Sequence, residues 1–230
     1  MRCHSYLYDD FSIISYQSDI IDSMSYLICI DDIRIVIDPH EDNDLLLDLG
    51  ETLSLKVILT HEHFDHISGV NWLKSRFNTT VYASELCGNK LMSKRNGTEL
   101  FPLLLIGDKI AYRQFKEKYQ LPYRCVIDKL LCGDVDWYFG NCHIHIFETP
   151  GHSAGSVSVL LNNSVLFPGD ILLGNEEEFR SIDADIETYK KVTLPKFIRL
   201  ISDDIMVFPG HGVPGKLPFI LEKQGFYYGT

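Results

Sequence analysis

Three histidines and two acidic residues fall within the short segment 60–66, which reads Thr-His-Glu-His-Phe-Asp-His. The segment directly follows the apolar run Val57-Ile58-Leu59, a pattern typical of a strand that ends in a loop. Imidazole nitrogens and carboxylate oxygens are the ligands that divalent zinc, iron or manganese accepts. Because open α/β sheets usually place their chemistry at strand ends, the pattern favours a metal site over a solvated polar loop.

Three further strand-like stretches end in a Pro-Gly pair that is followed by a possible metal ligand. These are Thr149-Pro150-Gly151-His152, Phe167-Pro168-Gly169-Asp170 and Phe208-Pro209-Gly210-His211. Proline fixes its own φ angle and glycine permits a tight turn, so each pair can end a strand and expose the next residue. One Pro-Gly-His is weak evidence, but four strand ends with ligand-type residues in one chain indicate a metal centre.

Taken together, these motifs resemble the metallo-β-lactamase superfamily, whose pattern is His-x-His-x-Asp-His followed by a distant His, an Asp and a last His. Segment 26–39 looks like the first hairpin of that family, which ends in an Asp, here Asp38, that supports the metal loop. Segments 151–156 and 180–183 are similar to the Gly-His-Ser and Gly-Arg-x-Asp segments of the glyoxalase II-like hydrolase branch. Segment 209–212 matches the last Pro-Gly-His-Gly of that branch.

The resemblance implies seven ligands that form two metal sites and share one carboxylate. The first site would be His61, His63 and His152, the second Asp65, His66 and His211, and the shared ligand Asp170. Such a carboxylate offsets part of the repulsion between two divalent ions, which would be zinc, with iron or manganese as alternatives. Asp65 would also be the catalytic residue, since it would orient a hydroxide shared by the two ions.

The resemblance also implies an α/β fold, the four-layer αββα sandwich, in which two mixed sheets are flanked by helices and the metals lie at one edge. The first 60 residues fit this fold, because apolar runs alternate there with Asp-rich turns, as in antiparallel strands. The spacing of apolar residues predicts helices and strands further along the chain. The predicted helices are 67–76, 85–94, 114–119 and 187–201, the last with a break or a second start at Pro195. Strand character is predicted at 81–83 and 137–147.

The length of 230 residues and the 45% hydrophobic content predict one domain over residues 1–230. Within it, segment 88–131 is long and irregular, and we expect an insertion that covers the site and selects the substrate. His143 and His145 alternate with isoleucines, so they should share the less buried face of a strand and are not predicted as ligands.

The formal net charge of −11 disfavours nucleic acid as a partner, because phosphate backbones need clustered Lys and Arg. We therefore expect a small-molecule substrate; the oligomeric state is left open. No secretory apolar region and no stretch of about twenty apolar residues is found, so we expect a cytoplasmic protein without membrane contact. The six cysteines have no zinc-site spacing and should be reduced thiols, and the acidic run 175–178 should be a solvated loop.

The predicted function is that of a binuclear metallohydrolase, in which a metal-bridging hydroxide attacks a small ester or thioester; a lactone or a phosphodiester is also eligible. Glyoxalase II itself is not expected, because that enzyme continues after its last His into a helical domain, whereas this sequence runs only to Thr230. One alternative is a mononuclear iron persulfide dioxygenase using His63 or its neighbour, His152 and Asp170. A third is a non-catalytic, metal-stabilised module, which would not need an open coordination position.

Overall fold

Two β-sheets packed face to face form the centre of the computed structural model. The structure describes residues 2–19, 22–105, 108–171 and 183–218. The first sheet contains seven strands, which pair in the order in which they follow one another along the chain. They are β1 (Arg2–Leu7), β2 (Ser12–Gln17), β3 (Met24–Ile30), β4 (Ile33–Ile37), β5 (Leu55–Ile58), β6 (Thr79–Ser84) and β7 (Lys129–Leu131).

The first sheet is mixed. Strands β1 to β4 pair antiparallel, whereas β4 to β7 pair parallel. Parallel neighbours bring their carboxyl ends to the same edge, so the residues that follow β4 and β5 meet there. Asp38 comes directly after β4, and the segment 60–66 follows β5. This edge therefore carries the first group of predicted site residues.

The second sheet has six strands in the order β13-β12-β11-β10-β9-β8, and it is also mixed. Only β11 and β12 pair parallel, and the other neighbours pair antiparallel. The strands are β8 (Val135–Phe139), β9 (Cys142–Glu148), β10 (Val157–Leu161), β11 (Val165–Gly169), β12 (Met206–Pro209) and β13 (Gly215–Lys216). The Pro-Gly pairs do end β11 and β12, as predicted, although the first pair lies beyond the end of β9.

The main core lies between the two sheets and consists mostly of β-branched and aromatic side chains, which suit a pleated, buried surface. The ring of Tyr26 in the first sheet packs against Phe167 and Phe208 of the second, with centroids 5.4 Å apart in both pairs, and the centroids of Phe167 and Phe208 lie 5.1 Å apart. Removing a side chain of this size from water contributes roughly 1.5–3 kcal/mol. Because these rings lie close to the carboxyl ends of β11 and β12, they also hold the two sheets together beside the predicted site.

Helices cover the outer face of each sheet. The first sheet is covered by α1 (Asn43–Leu49), α2 (Phe64–Ile67), α3 (Val70–Lys74), α4 (Glu85–Met92), a 3-10 helix (Thr98–Leu105) and α5 (Lys109–Lys118). The second is covered by α6 (Ile186–Thr188), a π-helical turn (Tyr189–Thr193) and α7 (Leu194–Leu200). This arrangement confirms the predicted four-layer αββα sandwich. In the ranges that the structure describes, no helix is long and apolar enough to cross a bilayer.

The prediction of one helix over 67–76 is wrong. The helical turn begins earlier, at Phe64 inside the motif, and α2 and α3 are separated at Gly69. The backbone of His40 crosses here so closely that a Cβ on Gly69 would lie 2.7 Å from its carbonyl carbon. Gly69 N also donates to Pro39 O, at 2.8 Å. A contact with the chain after β4, which local periodicity cannot show, therefore interrupts the helix.

Segment 88–131 packs its aromatic side chains around Phe64, the residue between His63 and Asp65. The rings of Phe101, Phe115, Tyr119 and Tyr123 lie with centroids 4.9 to 5.5 Å from the ring of Phe64. Aromatic pairs at such distances add roughly 0.5–1.5 kcal/mol beyond burial. The segment thus supports the motif from the helical layer, and its influence on substrate choice stays a prediction.

Candidate metal centre

All seven predicted ligands lie at one edge of the sandwich, where strands of both sheets end. His61 and His63 follow β5, and Asp65 and His66 lie in the single turn of α2. The other three come from the second sheet: His152 lies between β9 and β10, Asp170 follows β11, and His211 follows β12. Three groups of side chains offer ligand atoms within 4.8 Å of one another. They are His61, His63, His152 and Asp170; Asp65, His66 and His211; and Asp38, His61 and His66.

One oxygen of Asp170 is the geometric centre of this arrangement. We call Asp170 together with His61, His66, His152 and His211 the central cluster. The distances from Asp170 Oδ2 to the Nε2 atoms are 3.4 Å for His66, 3.5 Å for His152, 3.5 Å for His211 and 3.8 Å for His61. They exceed the usual length of an N–H···O bond. They match the spacing of roughly 3.3 Å between two ligands that are each bound at about 2.0 Å to one tetrahedral ion.

Hydrogen bonds behind the cluster fix two of the imidazole rings. His66 Nδ1 lies 3.0 Å from Asp38 Oδ2, and His61 Nδ1 lies 3.0 Å from Thr60 Oγ1. Thr60 donates its hydroxyl proton to Asp38 at 2.5 Å, so its oxygen can accept from His61. With Nδ1 as the donor in both rings, Nε2 faces the cluster and has the lone pair whenever the ring is neutral, as metal-binding histidines require.

His211 is fixed from the other side, by the connection between β2 and β3. Its Nδ1 donates to the carbonyl oxygen of Asp22 at 3.2 Å, and its Nε2 lies 3.1 Å from Asp65 Oδ2. The residue before it must be glycine, because a Cβ on Gly210 would collide with Asp170 Oδ1. The Pro-Gly pair therefore does more than end β12: it leaves room for the carboxylate.

Several buried atoms at this edge have no hydrogen-bond partner. Among the described residues they include His61 Nε2, His66 Nε2 and Asp170 Oδ1. A buried polar atom without a partner costs roughly 1–3 kcal/mol. Divalent cations would bind these lone pairs, and the nitrogen and oxygen donors are the types that such cations prefer in proteins. The residues present therefore fit a metal centre.

Two of the imidazoles are held neutral. Burial, together with the neighbouring imidazoles, lowers the pKa of His61 well below its usual value. Burial first and His152 second lower the pKa of His63 to about 4. At neutral pH both rings therefore have a free lone pair for a metal ion.

The remaining groups balance one another's charge. Burial alone would raise the pKa of Asp65 and of Asp170, but His66 and His211 hold both carboxyl pKa values well below the usual range. Burial alone would lower the pKa of His66 and of His211. The carboxylates of Asp65 and Asp170 instead raise the pKa of His66 well above its usual value and that of His211 to about 10. In the ion-free chain, protons thus occupy the nitrogens that a cation would bind.

Some predicted features lie elsewhere, and the sequence reasoning missed others. The acidic run 175–178 and residues 180–182 of the Arg-Ser-Ile-Asp segment lie outside the described residues.

Glu62 was not predicted to have a role at the site, although its side chain is buried at 2% exposure. A signal was present, because a carboxylate between two ligands on an extended segment must face away from the metals and find a partner of its own.

The sequence model of the metallo-β-lactamase superfamily matches residues 20–211. The chain belongs to this family. The match includes all seven predicted ligands, from the segment after β5 to His211 at the end of β12. Membership confirms the resemblance read from the motifs, and it supports a hydrolase-type enzyme that binds divalent metal.

Curated relatives agree with this assignment. The chain is 28% identical over 84% of its length to "Probable metallo-hydrolase YqgX" of Bacillus subtilis (strain 168), of which it covers 86%. It is 31% identical over 66% of its length to the hydroxyacylglutathione hydrolase of Pelagibacter ubique (strain HTCC1062), and it spans about half, 52%, of that relative. Among solved structures, the BLEG-1 B3 metallo-β-lactamase superimposes with a TM-score of 0.70, covering 94% of this chain and 100% of that one. At 24% identity this likeness shows the fold alone.

Proposed function

We propose that the chain is a binuclear metallohydrolase that cleaves a small ester or thioester. The first ion would be held by His61, His63 and His152, and the second by Asp65, His66 and His211, with Asp170 bound to both. Zinc is the first choice, and iron or manganese would suit the same donors. The net charge of −11 favours a small-molecule substrate over nucleic acid.

One observation carries this proposal: the position of Asp170 among four imidazoles from three separate segments of the chain. A carboxylate oxygen that lies 3.4 to 3.8 Å from four Nε2 atoms is too far for short hydrogen bonds and too buried for bulk water. Divalent cations bound by these residues would accept the lone pairs of all these atoms and would pair both carboxylates with positive charge. Direct hydrogen-bond distances do occur among the other proposed ligands, with His63 Nδ1 2.9 Å from His152 Nε2, but not between Asp170 Oδ2 and the four rings.

When bound, the ions would lower the pKa of a water molecule and polarise the bond to be cleaved. The chain's own residues would do the rest. Asp65 Oδ2 lies beside the central cluster, 3.1 Å from His211 Nε2, so this carboxylate can orient the attacking water or hydroxide by accepting a hydrogen bond from it. Asp38 and Thr60 would keep the rings of His66 and His61 in place through the reaction.

The substrate class is supported by the Gly-His-Ser-Ala-Gly-Ser segment 151–156 and by the likeness to a hydroxyacylglutathione hydrolase, whose name describes a thioesterase. Because the chain spans about half of that relative, its substrate is proposed only as a class. Both an ester and a thioester present a carbonyl carbon to a nucleophile and release a stable leaving group. These are the reactions that the proposed arrangement of residues suits.

The test is a panel assay on the purified chain, loaded in parallel with zinc, iron or manganese. The substrates are a p-nitrophenyl ester, a thioester, a lactone, bis-p-nitrophenyl phosphate and a persulfide, and elemental analysis counts the ions per chain. We expect two ions per chain and highest turnover on the ester or thioester. The variant Asp65→Ala should lose far more kcat than stability.

Other outcomes would replace the proposal. One iron per chain together with oxygen uptake on the persulfide would indicate the mononuclear dioxygenase. Two tightly bound ions without turnover of any substrate would indicate the metal-stabilised module. Full turnover in Asp65→Ala with normal metal content would remove Asp65 from the catalytic role.

A further inference from the structure

The carboxylate of Glu62 lies between two proposed ligands but faces away from them. It is buried, and Ser153 Oγ donates to its Oε2 at 3.0 Å. Its other oxygen, Oε1, lies 3.7 Å from Nζ of Lys90. A buried carboxylate is tolerated only with hydrogen bonds and an opposite charge, and Glu62 has both.

Glu62 thereby connects two loops that are far apart in the sequence. Its own neighbours are His61 and His63, and its partner Ser153 directly follows His152. One carboxylate is therefore adjacent, through the chain or through one hydrogen bond, to all three imidazoles of the first proposed site.

Lys90 is itself held in position, because it lies on α4, and the N-terminus of α4 is hydrogen-bonded to the loop that carries His152. Ser84 caps α4 by accepting from Cys87 N at 3.1 Å, and it donates to the carbonyl oxygen of Gly155 at 2.6 Å. Lys90 also forms an ion pair with Asp183. The cation that faces Glu62 is thus held by a helix whose N-terminus contacts the loop of His152.

The second proposed site depends on different supports. His66 is held by Asp38, and His211 by the carbonyl oxygen of Asp22. Glu62 contacts neither of these groups through the interactions that the structure shows. Asp38 also supports His61 through Thr60 and so reaches both sites, whereas Glu62 is linked to ligands of the first site. A change at Glu62 should therefore act on the metal affinity of the first site more than on that of the second.

We propose that Glu62, paired with Lys90, is a positioning residue that sets the metal affinity of the His61–His63–His152 site independently of the other site. The inference rests on the proposed metal centre and adds a control specific to one half of it. Groups that orient metal ligands typically change metal affinity by about 10–100-fold when they are removed. We expect a loss of about tenfold at this site for Glu62→Gln, which keeps the shape of the side chain but removes its charge.

The experiment is competition for zinc between the metal-loaded chain of residues 1–230 and a chromophoric chelator, with each site measured alone. In a chain with His211→Ala, which leaves the first site intact, Glu62→Gln should weaken zinc binding about tenfold. In a chain with His152→Ala, which leaves the second site intact, Glu62→Gln should change zinc affinity less than twofold. This selectivity is a readout that a general loss of stability would not produce.

Lys74 offers a matched control for substitutions of Lys90. Lys74 is equally exposed, at 25% against 26%, and pairs with an aspartate in the same way, with Lys74 Nζ 2.5 Å from Asp128 Oδ2. Lys90→Met should weaken the first site as Glu62→Gln does, whereas Lys74→Met should leave both sites unchanged. Lys90→Arg, which keeps the cation, should restore most of the affinity.

The outcomes separate this inference from the proposed function. A wild-type chain that binds no zinc overturns the proposed metal centre. A wild-type chain that binds two zinc ions, with Glu62→Gln equal to it or weakened equally at both sites, overturns the role of Glu62 alone. If Glu62→Gln does not fold, Lys90→Met and Ser153→Ala decide by the same measurement, because both keep Glu62 in place.

Discussion

Two clusters of histidine around an aspartate occur in this chain, and they differ in both distance and burial. In the surface cluster, formed by Asp136, His143 and His145 on the outer face of β8 and β9, one carboxylate oxygen lies 2.6 and 2.9 Å from two ring nitrogens. In the central cluster the corresponding distances from Asp170 are 3.4 to 3.8 Å. The side chain of Asp136 is 46% exposed, against 9% for that of Asp170.

The difference shows why residue type alone does not identify a metal site. The surface cluster has satisfied its polar atoms by direct hydrogen bonds and by exposure to water. The central cluster is too open for short hydrogen bonds and too buried for bulk water, and it retains atoms without partners. A gap of the size of a coordination sphere, lined by buried lone pairs, therefore distinguishes a candidate metal centre from an ordinary hydrogen-bonded group.

The strongest test of this comparison replaces the aspartate of each cluster by asparagine, in two separate variants. Asp170→Asn should lower kcat/KM by about 10³-fold and reduce the number of bound ions, because an amide is neutral and cannot bridge two cations. Asp136→Asn should leave both quantities within about twofold of the wild type. Turnover on the best substrate of the panel and elemental analysis of the purified variants measure the two effects. Equal losses in the two variants would contradict the distinction between the clusters.

A second test uses the protons that metal binding must displace. Since the pKa of His66 and that of His211 are raised, both rings are protonated in the ion-free chain at neutral pH. A cation requires neutral imidazole, so zinc affinity should rise with pH, by up to about tenfold per pH unit for each proton released. Calorimetry of zinc binding in buffers with different ionisation enthalpies counts those protons. A pH-independent affinity with no proton release would show that the rings are already neutral.

A third test concerns the stability of the ion-free chain. The folded-state pKa of His211, about 10, lies above the ordinary value of 6.5, so protonation of this ring favours the folded state. That contribution is complete below about pH 6.5 and is lost as the pH rises through about 10. Urea unfolding of chelator-treated protein should therefore show a larger drop in stability between pH 7 and pH 10.5 for the wild type than for His211→Gln. An equal drop would mean that the ring contributes nothing to this pH dependence.

The smallest effect is expected at the surface cluster. His145→Gln should change the free energy of unfolding by no more than about 0.5 kcal/mol, because the ring is partly solvated and its hydrogen bond can be replaced by water. Metal content should not change at all. Denaturant unfolding and elemental analysis of this variant check both statements. A loss of bound metal would mean that the surface cluster also holds an ion.

The candidate ligands were predictable because each depends on a local pattern. Four of them follow an apolar run within segment 60–66, and the other three follow a strand-like stretch and a Pro-Gly pair. Each pattern spans about ten positions, and no distant contact is needed to recognise it. The same holds for His143 and His145, whose shared, less buried face is confirmed. Of the two outcomes predicted at Pro195, the second start is the one found: α7 begins at Leu194, directly after a π-helical turn, and helical residues continue from 186 to 200 without a break.

Features that depend on distant contacts were not predictable. The helix expected over 67–76 is interrupted because the chain at Pro39 and His40 crosses it, and nothing in its own periodicity shows this contact. The stretch predicted as strand over 137–147 contains β8 and β9, joined at Gly140-Asn141, a local turn signal that was available. The predicted helix over 114–119 begins instead at Lys109.

By itself, the sequence determined which residue types follow the strands, and therefore the family and the types of donor atom that could bind a metal. Only the tertiary structure decided how far apart those side chains lie, which of them carry protons, and that Glu62 faces Ser153 and Lys90 across two loops. The physical reason is that strand pairing and sheet packing, acting over more than a hundred residues, set these distances. Charges and hydrogen bonds depend on distance rather than on order along the chain.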